Sequence, residues 1–199
     1  ATPLYVRLLA GLIRPFPNFD FGFIKPLRKK AAALLRLCPG DRVLDVGCGS
    51  GGAFPCLVQA VGPAGRVVGI EISLASSAHA RSRVEANEWG NVVLVVAPAQ
   101  EAHLSGLYDG LLIFAAPDVY ASKESLAHLT AHLRDGARVV FFGSKTSKHR
   151  FGWLLNSALN LAMTKLSLPT TPRLESEPWN LAAENLEELV VEEHFYGWM

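Results

Sequence analysis

The stretch VLDVGCGSGG at residues 43–52 joins an apolar strand pattern to a glycine-rich loop, with Asp45 near the junction. The glycines of the loop lack the Cβ atoms that would hold a ligand away from the backbone. They are Gly47, Gly49, Gly51 and Gly52. A helix predicted to begin near Ala53 would direct unpaired N–H groups to the same place, which favours a polar or anionic ligand. The stretch therefore predicts a nucleotide-like cofactor beside this loop.

Strand and helix patterns alternate along the chain, as is typical of a parallel α/β sheet. The predicted strands cover residues 42–46, 66–70, 92–96, 110–114 and 137–142, and the predicted helices cover residues 26–37, 53–61, 73–89 and 123–133. We predict one domain over residues 1–199 with a doubly wound, Rossmann-like, mostly parallel sheet. Helices would cover both faces, and the C-terminal edge would be antiparallel. Residues 1–25 would form an arm or lid, residues 26–143 the cofactor-binding core, and residues 144–199 the acceptor side.

Composition narrows the class of protein. Half of the 199 residues are hydrophobic and 19% are charged. The sequence contains no uninterrupted run of eighteen or more apolar residues, so no membrane-spanning helix is predicted. The three cysteines form no C-x-x-C pair, so neither a disulfide framework nor a zinc site is expected, and a cytoplasmic location fits best. His128 and His132 lie four residues apart on a predicted helix, but no third ligand accompanies them, and we predict no metal site.

Charge is distributed unevenly along the chain, although the net charge is only +1. Residues 1–40 carry seven Lys or Arg against one acid, whereas residues 171–199 carry seven Glu against one Arg. Solvated helix faces explain this most simply. The alternative is a basic arm that faces an anionic surface or substrate.

Ligands of open parallel sheets lie outside the carboxyl ends of the strands, where the strand order reverses. Glu71 directly follows the predicted second strand, twenty residues after Gly51. A carboxylate at this place can accept hydrogen bonds from both ribose hydroxyls of a nucleoside. Glu71 is therefore predicted to bind the sugar of the cofactor.

Over about residues 26–143 the chain resembles the class I S-adenosylmethionine (SAM)-dependent methyltransferases. Residues 37–51, LCPGDRVLDVGCGSG, are similar to the family's first motif, and residues 67–71 are similar to its second. Tyr108-Asp109 and the stretch LRDGARVV at residues 133–140 match its later landmarks. The third motif departs from the pattern, because Pro98 stands where many relatives have an aspartate, which leaves Gln100 or Glu101 as substitutes.

This resemblance implies SAM as the cofactor and assigns site residues. Asp45 and the loop from Gly47 through Gly49 to Gly51 would hold the methionine part, and Glu71 would bind the ribose. Four further residues would surround the adenine or form the floor of the pocket. They are Ile72 against the adenine, Ala99 and Gln100 on its flanks, and the backbone near Phe114 beneath it.

Methyl transfer from a sulfonium is an in-line displacement that needs mainly positioning and exclusion of water. A general base is required only if the acceptor must lose a proton, and Asp118, Tyr120 and His149 are the candidates. The segment Phe114-Ala115-Ala116-Pro117 lacks the Asn/Asp-Pro-Pro-aromatic run of enzymes that methylate nucleobase amino groups. A nucleic-acid acceptor is therefore disfavoured.

The acceptor is predicted from two less specific segments. Aromatic residues crowd the N-terminal arm, and residues 151–168 form an amphipathic helix pattern that follows the basic residues Lys145, Lys148 and Arg150. These features suggest a small apolar or lipid-like acceptor, as in the quinone-biosynthesis and phospholipid branches of the family. Peripheral membrane contact is a second interpretation of the helix, although a helix that simply covers the sheet is favoured.

Other functions remain open from the sequence. The glycine spacing also permits an NAD(P)-dependent oxidoreductase, and a non-catalytic SAM-binding or scaffold protein would keep the same fold. Residues 188–199 resemble a sixth strand and a turn, and an unpaired strand edge there would be available to a second copy of the chain as a dimer.

Overall fold

The computed structural model describes residues 24–143, together with Leu181 and Val190. Residues 1–23 of the predicted arm, His149, the helix pattern at residues 151–168 and the predicted antiparallel edge lie outside these residues, whereas residues 24 and 25 belong to the first helix. Five strands form a parallel sheet in the order β3-β2-β1-β4-β5. Their bounds are Arg42–Val46 (β1), Arg66–Ile70 (β2), Val92–Val95 (β3), Tyr108–Phe114 (β4) and Leu133–Phe142 (β5).

The helices alternate with the strands along the chain. They are Ile24–Leu34 (α1), Phe54–Val61 (α2), Leu74–Ala86 (α3), Pro117–Tyr120 (α4) and Lys123–Thr130 (α5), and Ala99–Glu101 form a short 3₁₀ helix. The predicted Rossmann-like α/β fold is thereby confirmed for the part of the chain that the structure describes.

Successive strand residues point to opposite faces of the sheet, and both faces are buried. Val43 on β1 packs into the core beneath α1 and α2, whereas its neighbour Leu44 packs into the core beneath α5. On β4, Leu112 and Phe114 join the first core and Ile113 joins the second. Strands buried on both faces need near-continuous apolar sequence, and this requirement explains the strand patterns read from the chain.

Strand order reverses between β2, β1 and β4, so the carboxyl ends of these strands open onto one crevice. At their opposite ends, Asp109 holds three strands together. Its Oδ2 accepts a 2.8 Å hydrogen bond from the N–H of Arg42, and its Oδ1 accepts one of 2.8 Å from Arg134. The Tyr108-Asp109 motif therefore has a structural role, far from the crevice.

Several predicted element ends were wrong, for local reasons. α1 ends at Leu34, before the predicted residue 37, because Arg36 has a positive φ of 48°. α3 ends at Ala86 because Asn87 caps it and Glu88 turns with φ of 53°. β5 begins at Leu133, earlier than predicted, because Leu133 pairs with Tyr108 across an irregularity in the β4 register.

Candidate functional site

The glycine-rich loop is anchored to the end of β2. The N–H groups of Gly47 and Cys48 both donate to the carbonyl oxygen of Ile70, at 2.9 and 3.1 Å. The N–H of Gly49 donates to Oε2 of Glu71 at 2.9 Å. These loop N–H groups are therefore satisfied within the protein.

The start of α2 offers fewer donors than the sequence suggested. The N–H of Phe54 donates to the carbonyl of Gly51 at 3.2 Å, the N–H of Cys56 donates to that of Ala53 at 3.0 Å, and Pro55 has no N–H. The expectation of unpaired N–H groups directed at an anionic ligand is therefore wrong at Phe54 and Cys56. The start of α2 therefore offers fewer free N–H groups than a typical phosphate-binding helix end.

Asp45 is a buried carboxylate at the base of the loop. Its side chain is 1% exposed, and its Oδ2 has no hydrogen-bond partner. Burial, opposed by Arg28 and assisted to a smaller extent by Glu71, raises the pKa of Asp45 to about 7. A buried polar atom without a partner is costly, so this oxygen is suited to a donor supplied by a ligand, such as an ammonium group.

Glu71 follows β2 and faces the same loop. Its Oε1 accepts from the N–H of Ser73 at 2.8 Å, while its Oε2 accepts from Gly49. An ionised carboxylate has about four acceptor positions, so each oxygen retains one for a hydroxyl group. The protein bonds hold this half-buried side chain in place, as the binding of a ribose diol requires.

The first two glycines of the loop, Gly47 and Gly49, differ in their surroundings. A Cβ on Gly47, where φ is +67°, would lie 2.4 Å from Cβ of Ala116, whereas a Cβ on Gly49, where φ is +55°, would meet nothing within 4 Å. Gly47 is needed for packing inside the protein. Gly49 leaves open space beside the loop, and this space, together with the two carboxylates, fits the zwitterionic and ribose parts of SAM.

The residues predicted to surround the adenine or to form the floor of the pocket have different environments. Ile72 is 46% exposed, whereas the side chain of Ala99 is buried in the core. Gln100 is exposed, and its Oε1 accepts from Ser125 at 3.2 Å. Phe114 is buried, and its ring stacks on Phe142 with centroids 4.4 Å apart. Their contacts with the cofactor stay predictions.

Sequence reasoning missed Arg28. It lies on the apolar face of α1 with Ile24, Ala31 and Ala32, and it is only 9% exposed. Its Cζ lies 5.1 Å from the centroid of the Phe114 ring. The signal was available, because Arg28 falls at i+4 from Ile24 and thus on the helix stripe that must be buried.

Of the candidate catalytic residues, Asp118 is half-buried and Tyr120 is buried, with its hydroxyl group lacking a hydrogen-bond partner. Burial, assisted by Asp118, raises the pKa of Tyr120 well above its usual value. Tyr120 is therefore suited to donate a hydrogen bond, and it is a poor base. Cys48 is buried, and burial likewise raises the pKa of its thiol, which favours the interpretation of a small loop residue.

His128 and His132 bond to the backbone. Nε2 of His128 lies 2.9 Å from the carbonyl oxygen of Ala102, and Nδ1 of His132 lies 2.8 Å from that of His128. These contacts account for the positions of both rings. Within residues 24–143, no group of three or more His, Cys, Asp or Glu side chains is arranged to hold a metal ion.

Residues 26–147, more than half of the chain, match the family model of protein-L-isoaspartate(D-aspartate) O-methyltransferase (PCMT). The chain belongs to the PCMT family. This match confirms the resemblance to class I SAM-dependent methyltransferases. It covers the whole of the loop, Glu71 and the five strands. It favours the methyltransferase interpretation over the nicotinamide-dependent one.

Individual relatives fit this PCMT-family assignment and broaden it. The chain is 38% identical to the protein-L-isoaspartate O-methyltransferase of Methanoregula boonei over 108 residues, 54% of this chain and 46% of that protein. It is 26% identical to a ubiquinone/menaquinone biosynthesis C-methyltransferase of Geobacter sulfurreducens over 134 residues, 66% of this chain and 52% of that protein. The chain thus spans about half the length of these relatives.

A solved methyltransferase has the same fold as this PCMT-family chain. The SAM-dependent methyltransferase of Thiobacillus denitrificans, solved with S-adenosyl-L-homocysteine (SAH), superposes with a TM-score of 0.53 at 22% identity. The superposition covers 68% of this chain and 54% of that one. In the described part of the PCMT-family chain, none of the helices is both long and apolar enough to cross a bilayer.

Proposed function

We propose that this protein binds SAM in the crevice beside the glycine-rich loop and transfers its methyl group to a small apolar acceptor. The unpartnered Oδ2 of buried Asp45 is the observation that carries the cofactor part of this proposal. SAM presents an ammonium group at one end and a ribose diol in the middle, and Asp45 and Glu71 are acceptors for these two groups.

The hydrogen bonding of the loop argues against a dinucleotide. A pyrophosphate group needs free N–H donors at the glycine loop and the helix start. Here Gly47, Cys48 and Gly49 donate to Ile70 and Glu71, and a buried carboxylate lies beneath them. This arrangement offers few N–H donors to a pyrophosphate group, and Asp45 favours a ligand that also carries a positive charge.

SAM, when bound, supplies an activated methyl group. The protein's part is to bind, to orient and to exclude water. Glu71 would fix the ribose, Asp45 would fix the amino-acid end, and the loop would set the distance between them. The hydroxyl group of Tyr120, which lies against Gly143 at the end of β5, would donate a hydrogen bond to the acceptor.

Aromatic side chains at the ends of β4 and β5 support an apolar acceptor. Phe114 and Phe142 stack in parallel, and Tyr120 contacts Phe141 edge-to-face with centroids 6.5 Å apart. The name of the Geobacter relative, a quinone C-methyltransferase, points in the same direction. An isoaspartyl group in a peptide is the second candidate acceptor, and the PCMT family match favours it.

Binding and turnover test these proposals separately. Calorimetry with SAM, SAH and NAD should give heat of binding for the first two alone; binding of NAD alone would contradict the proposal. Turnover is measured as SAH formed from SAM in the presence of demethylated quinols or isoaspartyl peptides. Methylation of peptides alone would exclude the apolar acceptor, and binding of SAM without turnover in any arm would favour the non-catalytic alternative.

A further inference from the structure

Arg28 is a buried cation on a helix whose other basic residues are solvated. Lys25, Lys29 and Lys30 on α1 are exposed, whereas Arg28 is only 9% exposed. Removing a guanidinium group from water is costly unless charges and hydrogen bonds compensate it. A buried arginine at this place therefore requires an explanation beyond helix propensity.

The surroundings of Arg28 place its guanidinium group at the crevice. A Cβ on Gly52 would lie 2.7 Å from its Cζ, so the group rests directly against the backbone of the glycine-rich stretch. The same group lies over the ring of Phe114, at the carboxyl end of β4. It also acts electrostatically on Asp45, at the end of β1. Arg28 thus lies where α1, β1 and β4 converge, at the reversal of strand order.

The amino-acid end of SAM carries one negative and one positive group. Arg28 and Asp45 are two buried side chains of opposite charge that interact electrostatically, and Asp45 retains an unpartnered oxygen. Because the nearby N–H groups of Gly47, Cys48 and Gly49 donate within the protein, they are not available to a carboxylate. Arginine is the side chain best shaped for carboxylate recognition.

We propose that Arg28 binds the carboxylate of the methionine part of SAM and so selects cofactors with an intact amino-acid end. This inference rests on the proposed SAM binding, and it names the residue that recognises this end. Arg28 then has two functions, since it also balances the buried charge of Asp45. A residue that acted only on Asp45 would not distinguish ligands that differ in their carboxylate.

Three ligands isolate the contribution of the carboxylate. SAH has both charged groups, its decarboxylated analogue keeps only the ammonium, and 5′-methylthioadenosine lacks the whole amino-acid end. For Arg28→Gln we expect SAH binding to weaken by about tenfold or more, because hydrogen bonds to charged groups contribute about 1.5–3 kcal/mol. Binding of 5′-methylthioadenosine should change by less than about threefold, and the decarboxylated analogue should lose clearly less affinity than SAH. Lys29→Gln, an exposed neighbour on the same helix, is the matched control.

Each result decides the proposal. Equal losses for all three ligands would mean that Arg28 only supports the loop, and no loss for SAH would also overturn the inference. If wild-type protein binds SAH and its decarboxylated analogue equally, the role of Arg28 fails while SAM binding stands. If wild-type protein binds none of the ligands, the proposed function itself fails. Should Arg28→Gln not fold, Arg28→Lys keeps the charge without the bidentate fork, and a selective loss for SAH is again expected.

Discussion

The N–H of Gly49 donates a 2.9 Å hydrogen bond to Oε2 of Glu71, a residue 22 positions later in the chain. This bond joins the glycine-rich loop after β1 to the acidic residue after β2, the two features that were predicted separately to bind the cofactor. The protein thereby fixes the distance between the residues expected at the amino-acid end and at the ribose. Both parts of the site are organised by one carboxylate.

Replacing Glu71 should therefore weaken cofactor binding in two ways. We expect Glu71→Gln to lower the affinity for SAH by roughly 10–100-fold, because an acceptor for the ribose diol is lost and the Gly49 bond is weakened. Calorimetry measures the change, and Glu85→Gln on the exposed side of α3 is the control. Equal affinities for the two variants would exclude Glu71 from the site.

Asp45 should make stability depend on pH. Its pKa in the folded protein, about 7, is above the ordinary value of 3.8, so the folded state binds the proton more tightly than the unfolded state. Stability should therefore fall as pH rises from about 4 to about 7. Since Asp45→Asn does not titrate, its Tm relative to wild type should increase between pH 5 and pH 8. A difference that is constant with pH would contradict the assignment.

The same titration should govern cofactor binding. Ionised Asp45 would accept from the ammonium group, so the affinity of wild-type protein for SAH should rise as pH increases from 6 to 8. Arg28 from α1 and Glu71 after β2 are the charged groups that act on Asp45. Calorimetry of SAH binding at several pH values, with Asp45→Asn as the reference, isolates the contribution of Asp45. This variant should lose the pH dependence of the affinity.

Gly47 and Gly49 should respond differently to the same substitution. Gly47→Ala adds a Cβ that clashes with Ala116 at positive φ, so we expect a loss of about 3 kcal/mol of stability. Gly49→Ala meets no protein atom, and should cost only about 1 kcal/mol while it weakens SAH binding. Denaturant titration and calorimetry measure the two effects. If the two variants lose similar stability and Gly49→Ala binds SAH as tightly as wild type, no ligand lies beside Gly49.

Tyr120→Phe tests the acceptor side of the site. The hydroxyl group is buried without a hydrogen-bond partner, so its removal should leave Tm unchanged or raise it. If Tyr120 donates to the acceptor, kcat should fall by about tenfold or more while SAH affinity is unchanged. A variant with reduced stability and normal kcat would assign Tyr120 to packing against Gly143 and Phe141.

Local sequence was sufficient for much of the fold. Strands buried on both faces must be almost continuously apolar, and β1 and β2 therefore began and ended at the predicted residues. The sequence did not predict the ends of elements that depend on pairing with a neighbouring strand. Leu133 enters β5 because it pairs with Tyr108, and a contact across the sheet is not encoded in the residues beside it.

The sequence by itself determined the parallel α/β fold, the resemblance to the methyltransferase family and the position of the glycine-rich loop, because these follow from periodicity and from motif order. Only the tertiary structure decided which polar and charged side chains of the site interact with one another. It showed that Gly49 donates to Glu71, that the guanidinium group of Arg28 lies over the ring of Phe114, and that Arg28 acts electrostatically on Asp45. Burial raises the pKa of Asp45 and strengthens the electrostatic effect of the Arg28 guanidinium group on it. Burial depends on packing between elements that are distant in the chain, so the local sequence does not determine it.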